Sequence, residues 1–261
     1  MLDYDWKWIR PHPSTRQDTQ MTNPLKARQQ ALEFQLLAWY RRVCTMKGIE
    51  MSAGTLYSLK RLASGPKDSH LGIIAGLIMF RKIFLILTRT CLNTSEMIYD
   101  DHEADFTEIV ELAPMPLAGT ATEDKKQPPF AFDMGISLPI FVTILKCRSP
   151  TVRRQALRLQ LQCPQIQSLY VGSAAAHYLA AIVVLEEMGP FPGGQVPVID
   201  LFRQHGRVPT NEQRVADFAL IPGQTDGDSR GNRLQYLQWR CIELERVSIT
   251  ETVTLPQDQA L

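Results

Sequence analysis

What this chain lacks narrows its possibilities before anything it contains is considered. Its five cysteines, Cys44, Cys91, Cys147, Cys163 and Cys241, are widely spaced and form no CxxC pair. That spacing excludes a zinc finger or a binuclear zinc cluster within the chain. It predicts reduced, mostly buried thiols rather than a disulfide framework. Charge of one sign is not in excess either: 28 Lys and Arg face 27 Asp and Glu, for a formal net charge of +1. Overall charge does not steer such a chain to nucleic acid, so any contact of that kind needs a local patch. The leading MLDYDWKWIRPHP holds no apolar core ahead of a cleavage site, and no signal peptide is expected. The most apolar run, Leu71 to Leu87, is broken by Arg81 and Lys82. A bilayer span needs roughly 18 or more uncharged residues, so the run is read as a buried helix and no membrane role is expected.

The motifs of several enzyme classes are also missing. A nucleophile elbow needs G-x-S-x-G, and the nearest approach is Gly172-Ser173-Ala174, inside a predicted helix. No G-x-x-x-x-G-K-[ST] phosphate loop occurs. The zinc-protease pattern fails too, since His102-Glu103 is followed by Ala-Asp-Phe. His12, His70, His177 and His205 stand alone and read as surface or core histidines. No repeat of fixed period is present. The expectation is a protein that is not an enzyme, with no catalytic residue, no bound metal and no cofactor.

What is present is globular composition: 261 residues, 44% apolar and 21% charged, enough to bury a sizeable core. The fold class expected is mostly α, a multi-helix globular domain with a few short C-terminal β-strands. Residues 1–23 read as a disordered leader, 24–254 as the helical domain and 255–261 as a tail. Asn23 and Pro24 suit a helix cap and first residue, and Ala27, Ala31, Phe34, Leu37 and Ala38 follow helical spacing toward a stop at Gly48. A short helix is expected over 55–63. The apolar run should then begin a helix after Asp68 or Ser69 and form the central core element. Another helix starts near Asn93 to Ser95 and carries an acidic run from Asp100 to Glu111. Residues 114–128, rich in Pro, Gly and Thr, read as an exposed loop.

From Pro128 to Glu187 three helical blocks are separated by Ser149-Pro150 and Cys163-Pro164. Ser149 is the natural cap of the middle block, and Leu169, Ala174, Tyr178, Ile182 and Leu185 belong to the last. Past Gly194, the stretches Arg214 to Ile221, Leu234 to Cys241 and Glu245 to Thr254 mix β-branched and aromatic residues with polar ones and predict strands. Gln224 to Asn232 is the turn among them. Its Asp226-Gly-Asp228-Ser-Arg230-Gly231 imitates a calcium loop, but Arg230 and Leu237 stand where ligands are required.

Two charged constellations remain. Asp101, Asp105 and Glu108 stack on one helical face, which could hold a divalent cation if another helix supplied ligands; otherwise they form a solvated face. Lys146, Arg148, Arg153, Arg154 and Arg158 form a basic group with no acid among them. No aromatic residues interleave with it, which disfavours stacking on single strands. Glu186 and Glu187 close a helix, where the dipole disfavours acids. They are therefore expected to face arginines of the neighbouring antiparallel helix.

The run PFAFDMGISLPIFVTILKCRSPTVRRQAL resembles the C-terminal regulatory region of fungal zinc binuclear cluster transcription factors. The resemblance is carried by Phe130, Phe132, Asp133, Gly135, Pro139, Phe141, Lys146, Cys147, Arg148, Pro150, Arg153, Arg154, Ala156, Cys163 and Pro164, with Glu186-Glu187 closing the following helix. Looser likeness extends to Trp39, the Leu71 to Leu87 run, Glu96-Met97, Tyr99-Asp100, Phe106 and Ile109-Val110. The chain departs from the family over Gln165 to Val171, where an arginine-rich turn is usual, and in having no six-cysteine cluster before this region. The resemblance implies a nuclear, transcription-factor-like regulator of fungal genes, with secondary-metabolite clusters one common setting. It would act through a protein partner or as a dimer, and direct DNA binding by this chain is not expected. The competing reading is a small metal-dependent enzyme or accessory protein of a biosynthetic pathway, using the acidic helix.

Overall fold

A computed structural model describes residues 19–47, 70–93, 95–122, 124, 126–131, 135–164, 166–167, 170–189, 202, 206–221, 233–242 and 245–254. The fold is mostly α with a small three-stranded antiparallel sheet toward the C-terminus, as composition and periodicity predict. Helix α1 spans Thr19–Lys47 and α2 His70–Thr90; a 3-10 turn, Glu96–His102, leads into α3, Glu103–Leu112, and then α4, Pro114–Thr120. Helices α5, Ser137–Lys146, α6, Pro150–Gln162, and α7, Gly172–Met188, follow. Strands β1, Phe130–Ala131, β2, Ile166–Gln167, and β3, Tyr170–Val171, make a miniature sheet in the order β1-β2-β3. The C-terminal sheet is a meander of β4, Val215–Ile221, β5, Arg233–Ile242, and β6, Glu245–Thr254.

The core is built by α2, α3, α5, α6 and α7. Ile78, Met79 and Ile83 of α2 meet Phe106, Ile109 and Leu112 of α3 and Ile140 of α5, all fully buried. The α2 run is long and apolar enough to cross a membrane by length and composition, yet more than half of it is buried within the fold. It is not buried all round: Ile73, Leu77 and Phe84 are exposed. Helix α1 lies antiparallel on α2. Gln29 Nε2 donates to the Thr88 and Arg89 carbonyls at 2.6 and 3.0 Å, satisfying acceptors that the last turn of α2 leaves open. Farther along, the Arg81 guanidinium lies 3.9 Å from the Tyr40 ring centroid.

Several expectations are corrected. Helix α1 begins at Thr19 rather than at Pro24, which lies inside it. Proline there removes the hydrogen bond to the Gln20 carbonyl and its ring crowds that carbonyl, yet the helix continues through it. The stretch expected as an exposed loop over 114–128 begins with helix α4. Pro114 stands at its first position, where no N–H is needed, and Leu117 is buried. Gly72 of α2 lets α4 approach closely, because a Cβ there would lie 3.2 Å from the Met115 carbonyl oxygen and 3.3 Å from Pro116 Cα. Gln127 Nε2 then holds the Leu117 carbonyl at 2.6 Å. The acidic run straddles two elements, with Asp100 and Asp101 in the 3-10 turn capped by Ser95. The last block of the 128–187 stretch begins only at Gly172, after β2 and β3; residues 165, 168 and 169 lie outside the described residues.

Other boundaries agree with the sequence reading. Ser149 holds the N-cap position of α6 and Pro150 its first residue, although the Ser149 hydroxyl makes no capping hydrogen bond. Gly135 adopts φ +48° before α5, a conformation that favours glycine. The three predicted strands fall within a residue of β4, β5 and β6. Of the leader expected over 1–23, residues 19–23 belong to α1; its residues 1–18, the stop at Gly48, the helix over 55–63, the cap at 68–69, the turn over 224–232 and the tail lie outside the described residues.

Candidate functional site

The basic group turns inward. Lys146 ends α5, Arg148 sits in the link to α6, and Arg153 and Arg154 lie near the start of α6; all four are buried. Their positions follow from local structure. Pro150 starts α6 sharply after Ser149, which sends adjacent arginines at 153 and 154 in directions about 100° apart.

Each cation meets a carboxylate. Lys146 Nζ lies 2.9 Å from Glu96 Oε2 and donates to the Ala216 carbonyl at 3.1 Å. Arg148 Nη2 is 3.0 Å from Glu186 Oε1, and Arg153 Nη2 is 2.7 Å from Glu186 Oε2. Arg154 grips Glu187 through both terminal nitrogens at 2.8 and 2.6 Å, the fork geometry that suits guanidinium and carboxylate. The expectation that Glu186 and Glu187 face arginines is met in both residues.

Sequence reasoning missed the far side of this network. Arg214 grips Asp100 with two bonds of 2.7 Å and donates to the Glu96 carbonyl at 3.2 Å. The Val215 N–H donates to Glu186 Oε1 at 2.6 Å. Arg207 Nε donates to the Glu187 carbonyl. At Gly206 an added Cβ would fall inside contact distance of Glu187 Oε2 and both terminal nitrogens of Arg154. Local pattern carries none of these contacts, since Arg214 reaches back 114 residues to Asp100. The one available signal was an arginine at the head of a predicted strand.

The network therefore welds three parts of the fold: the 3-10 turn through Glu96 and Asp100, the α5–α7 helices, and the head of β4. An aromatic trio reinforces that seam. Tyr178 lies 5.7 Å from Phe218 and 6.4 Å from Phe141 between ring centroids. Five cations, Lys146, Arg148, Arg153, Arg154 and Arg214, face four carboxylates, Glu96, Asp100, Glu186 and Glu187. Arg153 and Glu186 are 0% exposed. Burial pushes the Arg148 guanidinium below its ordinary pKa, with Glu186 opposing. Such a cluster holds elements in register, with Asp100 at its exposed edge. Arg158 is the exception in the basic group: it is exposed, with its guanidinium 4.9 Å from the Phe202 ring centroid.

The acidic face, read as solvated unless another helix supplied ligands for a cation, is occupied by a lysine. Lys82 Nζ reaches Asp105 Oδ1 at 2.6 Å and Glu108 Oε2 at 2.7 Å. An ammonium thus stands between the two carboxylates that a divalent cation would need, while Asp101 is exposed. Burial alone would raise the Asp105 pKa, but Lys82 and His102 bring it below the ordinary value. Among the described residues, no group of three or more His, Cys, Asp and Glu is placed to hold a metal. Cys44, Cys147 and Cys163 are buried free thiols and Cys91 is exposed; burial pushes the Cys147 and Cys163 thiols up to about 11. His177 is exposed.

No family model matches the chain, and no significant match was found among curated proteins or solved structures.

Proposed function

We propose that this chain is a transcription-factor-like regulatory protein that works in the nucleus through protein contacts, without catalysis and without a zinc-cluster DNA reader of its own. Fungal gene regulation, secondary-metabolite clusters included, is the setting its resemblance suggests. One observation carries the reading: residues that bear the resemblance in separate stretches of sequence converge on one buried network. Glu96 meets Lys146, Glu186 meets Arg148 and Arg153, and Glu187 meets Arg154. A motif spent on internal architecture leaves function to the surface. A phosphate approaching the basic group would have to displace buried carboxylates, which disfavours nucleic acid as its partner.

The metal-enzyme alternative loses support at Lys82, whose ammonium already bridges Asp105 and Glu108. The test of the proposal is cellular. The tagged chain is expected in the nucleus, and its deletion is expected to change a defined set of transcripts. A purely cytosolic protein whose deletion leaves transcripts unchanged would overturn it.

A further inference from the structure

The antiparallel pair α1 and α2 carries an apolar face that nothing in the described fold covers. On α1, among the described residues, four of the five exposed large apolar residues, Leu25, Leu32, Trp39 and Met46, recur every seventh position, while Phe34 lies on the far side of the helix. On α2 the exposed set is Ile73, Leu77 and Phe84. At about 100° per residue, each set forms one stripe beside the seam where α1 meets α2. The seam itself is fixed by Gln29 on the last carbonyls of α2 and by Arg81 over Tyr40. Because the helices run antiparallel, their opposite rotations bring the two stripes to the same side. Taking roughly 200 Å² for each large side chain, the exposed fractions sum to the order of 700 Å². That exceeds the usual largest apolar patch of a monomer, about 300–600 Å², and approaches the roughly 800 Å² each partner gives to a standard interface.

Charge selects the occupant. Helix α1 carries Lys26, Arg28, Arg41, Arg42 and Lys47 against one acid, Glu33, which Arg89 of α2 already holds at 2.5 Å; α2 contains no acid. Three residues after each apolar position except Met46, the row Arg28, Gln35, Arg42 flanks the α1 stripe. A second copy of this chain would bring like charge to like charge. We propose that this face docks an amphipathic helix of a partner protein, apolar at heptad spacing and edged with Asp or Glu. Two of its acids would lie about 21 Å apart to meet Arg28 and Arg42. The inference deepens the reading of this chain as a regulator that works through protein contacts, and rests on it.

The probe is a labelled helical peptide of about four heptads, leucine at the seam positions and glutamate beside them, with a lysine-edged peptide as its counterpart. Binding to the purified full chain is read by fluorescence anisotropy, and folding of each variant by circular dichroism. The acidic peptide is expected to bind at least about tenfold more tightly than the basic one. The double change Arg28→Glu, Arg42→Glu should reverse that preference, and Leu32→Glu should abolish both. All three positions are exposed, so these variants should fold. Absence of binding by the acidic peptide, or equal binding of both peptides, would overturn the proposal. So would self-association of the chain that Leu32→Glu abolishes, which would give the face to a second copy. Retention on anionic vesicles that Trp39→Glu abolishes would give it to a lipid surface. Nuclear location and transcript response are read separately; if they persist beside a negative peptide result, this surface fails and the regulatory reading stands.

Discussion

Arg154 and Glu187 are joined by two bonds between partners 33 residues apart, with Gly206 against them. Reversing one partner buries two like charges, and breaking a buried pair typically costs about 3–5 kcal/mol. Arg154→Glu is expected to lower the melting temperature sharply in circular dichroism, with Arg154→Lys in between because it keeps the charge and loses the fork. Melting unchanged by Arg154→Glu would show that the pair carries no stability. Asp105 gives a prediction in pH. Its folded pKa lies below the ordinary 3.8, so its contribution is present above that value. The contribution is lost as pH falls through the folded pKa. Melting should therefore drop below about pH 4, and less steeply in Asp105→Asn, as a pH series on both proteins would show. Glu186 and Glu187 were legible because acids at a helix C-terminus need an external reason. Asp100, Arg214 and Gly206 were not, because their partners come from remote segments that no local pattern connects.

Helices and strands were more legible than their surroundings. Strands β4 to β6 announced themselves through β-branched and aromatic alternation, and α6 through Ser149-Pro150. Helix α4 was hidden because Pro114, Pro116 and Gly119 have the composition of a turn; its helicity depends on Pro114 opening it and Leu117 burying against the core. The tertiary fit overrides propensity there. That dependence is testable at Gly72, where the atoms closest to a new Cβ belong to the α4 backbone and yield little. Gly72→Val is expected to cost about 1–3 kcal/mol, with chemical denaturation as the measurement. The exposed side of α2, with Ile73, Leu77 and Phe84, also escaped the sequence reading, since an apolar run says nothing about which side of it is covered.

Over the whole molecule, helices and C-terminal sheet behave as one unit because charge, not only apolar packing, crosses between them. Arg214, Val215 and Ala216 at the head of β4 supply partners for Asp100, Glu186 and Lys146 respectively. A chain ending before residue 206 would take the Val215 amide from Glu186, the Ala216 carbonyl from Lys146 and the Arg214 fork from Asp100, and is expected to be insoluble or unfolded. The full chain should melt in a single transition at every wavelength followed. An independently folding helical fragment would show instead that the seam is dispensable.

Glu186 and Glu187 are neighbours in sequence, yet one serves Arg148, Arg153 and the Val215 amide while the other serves Arg154. Their assignment depends on the angle at which α7 delivers them. Inserting or deleting one residue between Gly172 and Leu185 would turn both carboxylates by about 100° and hand each to the wrong partners. The gene should therefore tolerate changes of letter along this helix far better than changes of length. Frame-preserving insertions and deletions mark where selection on this protein would be most severe.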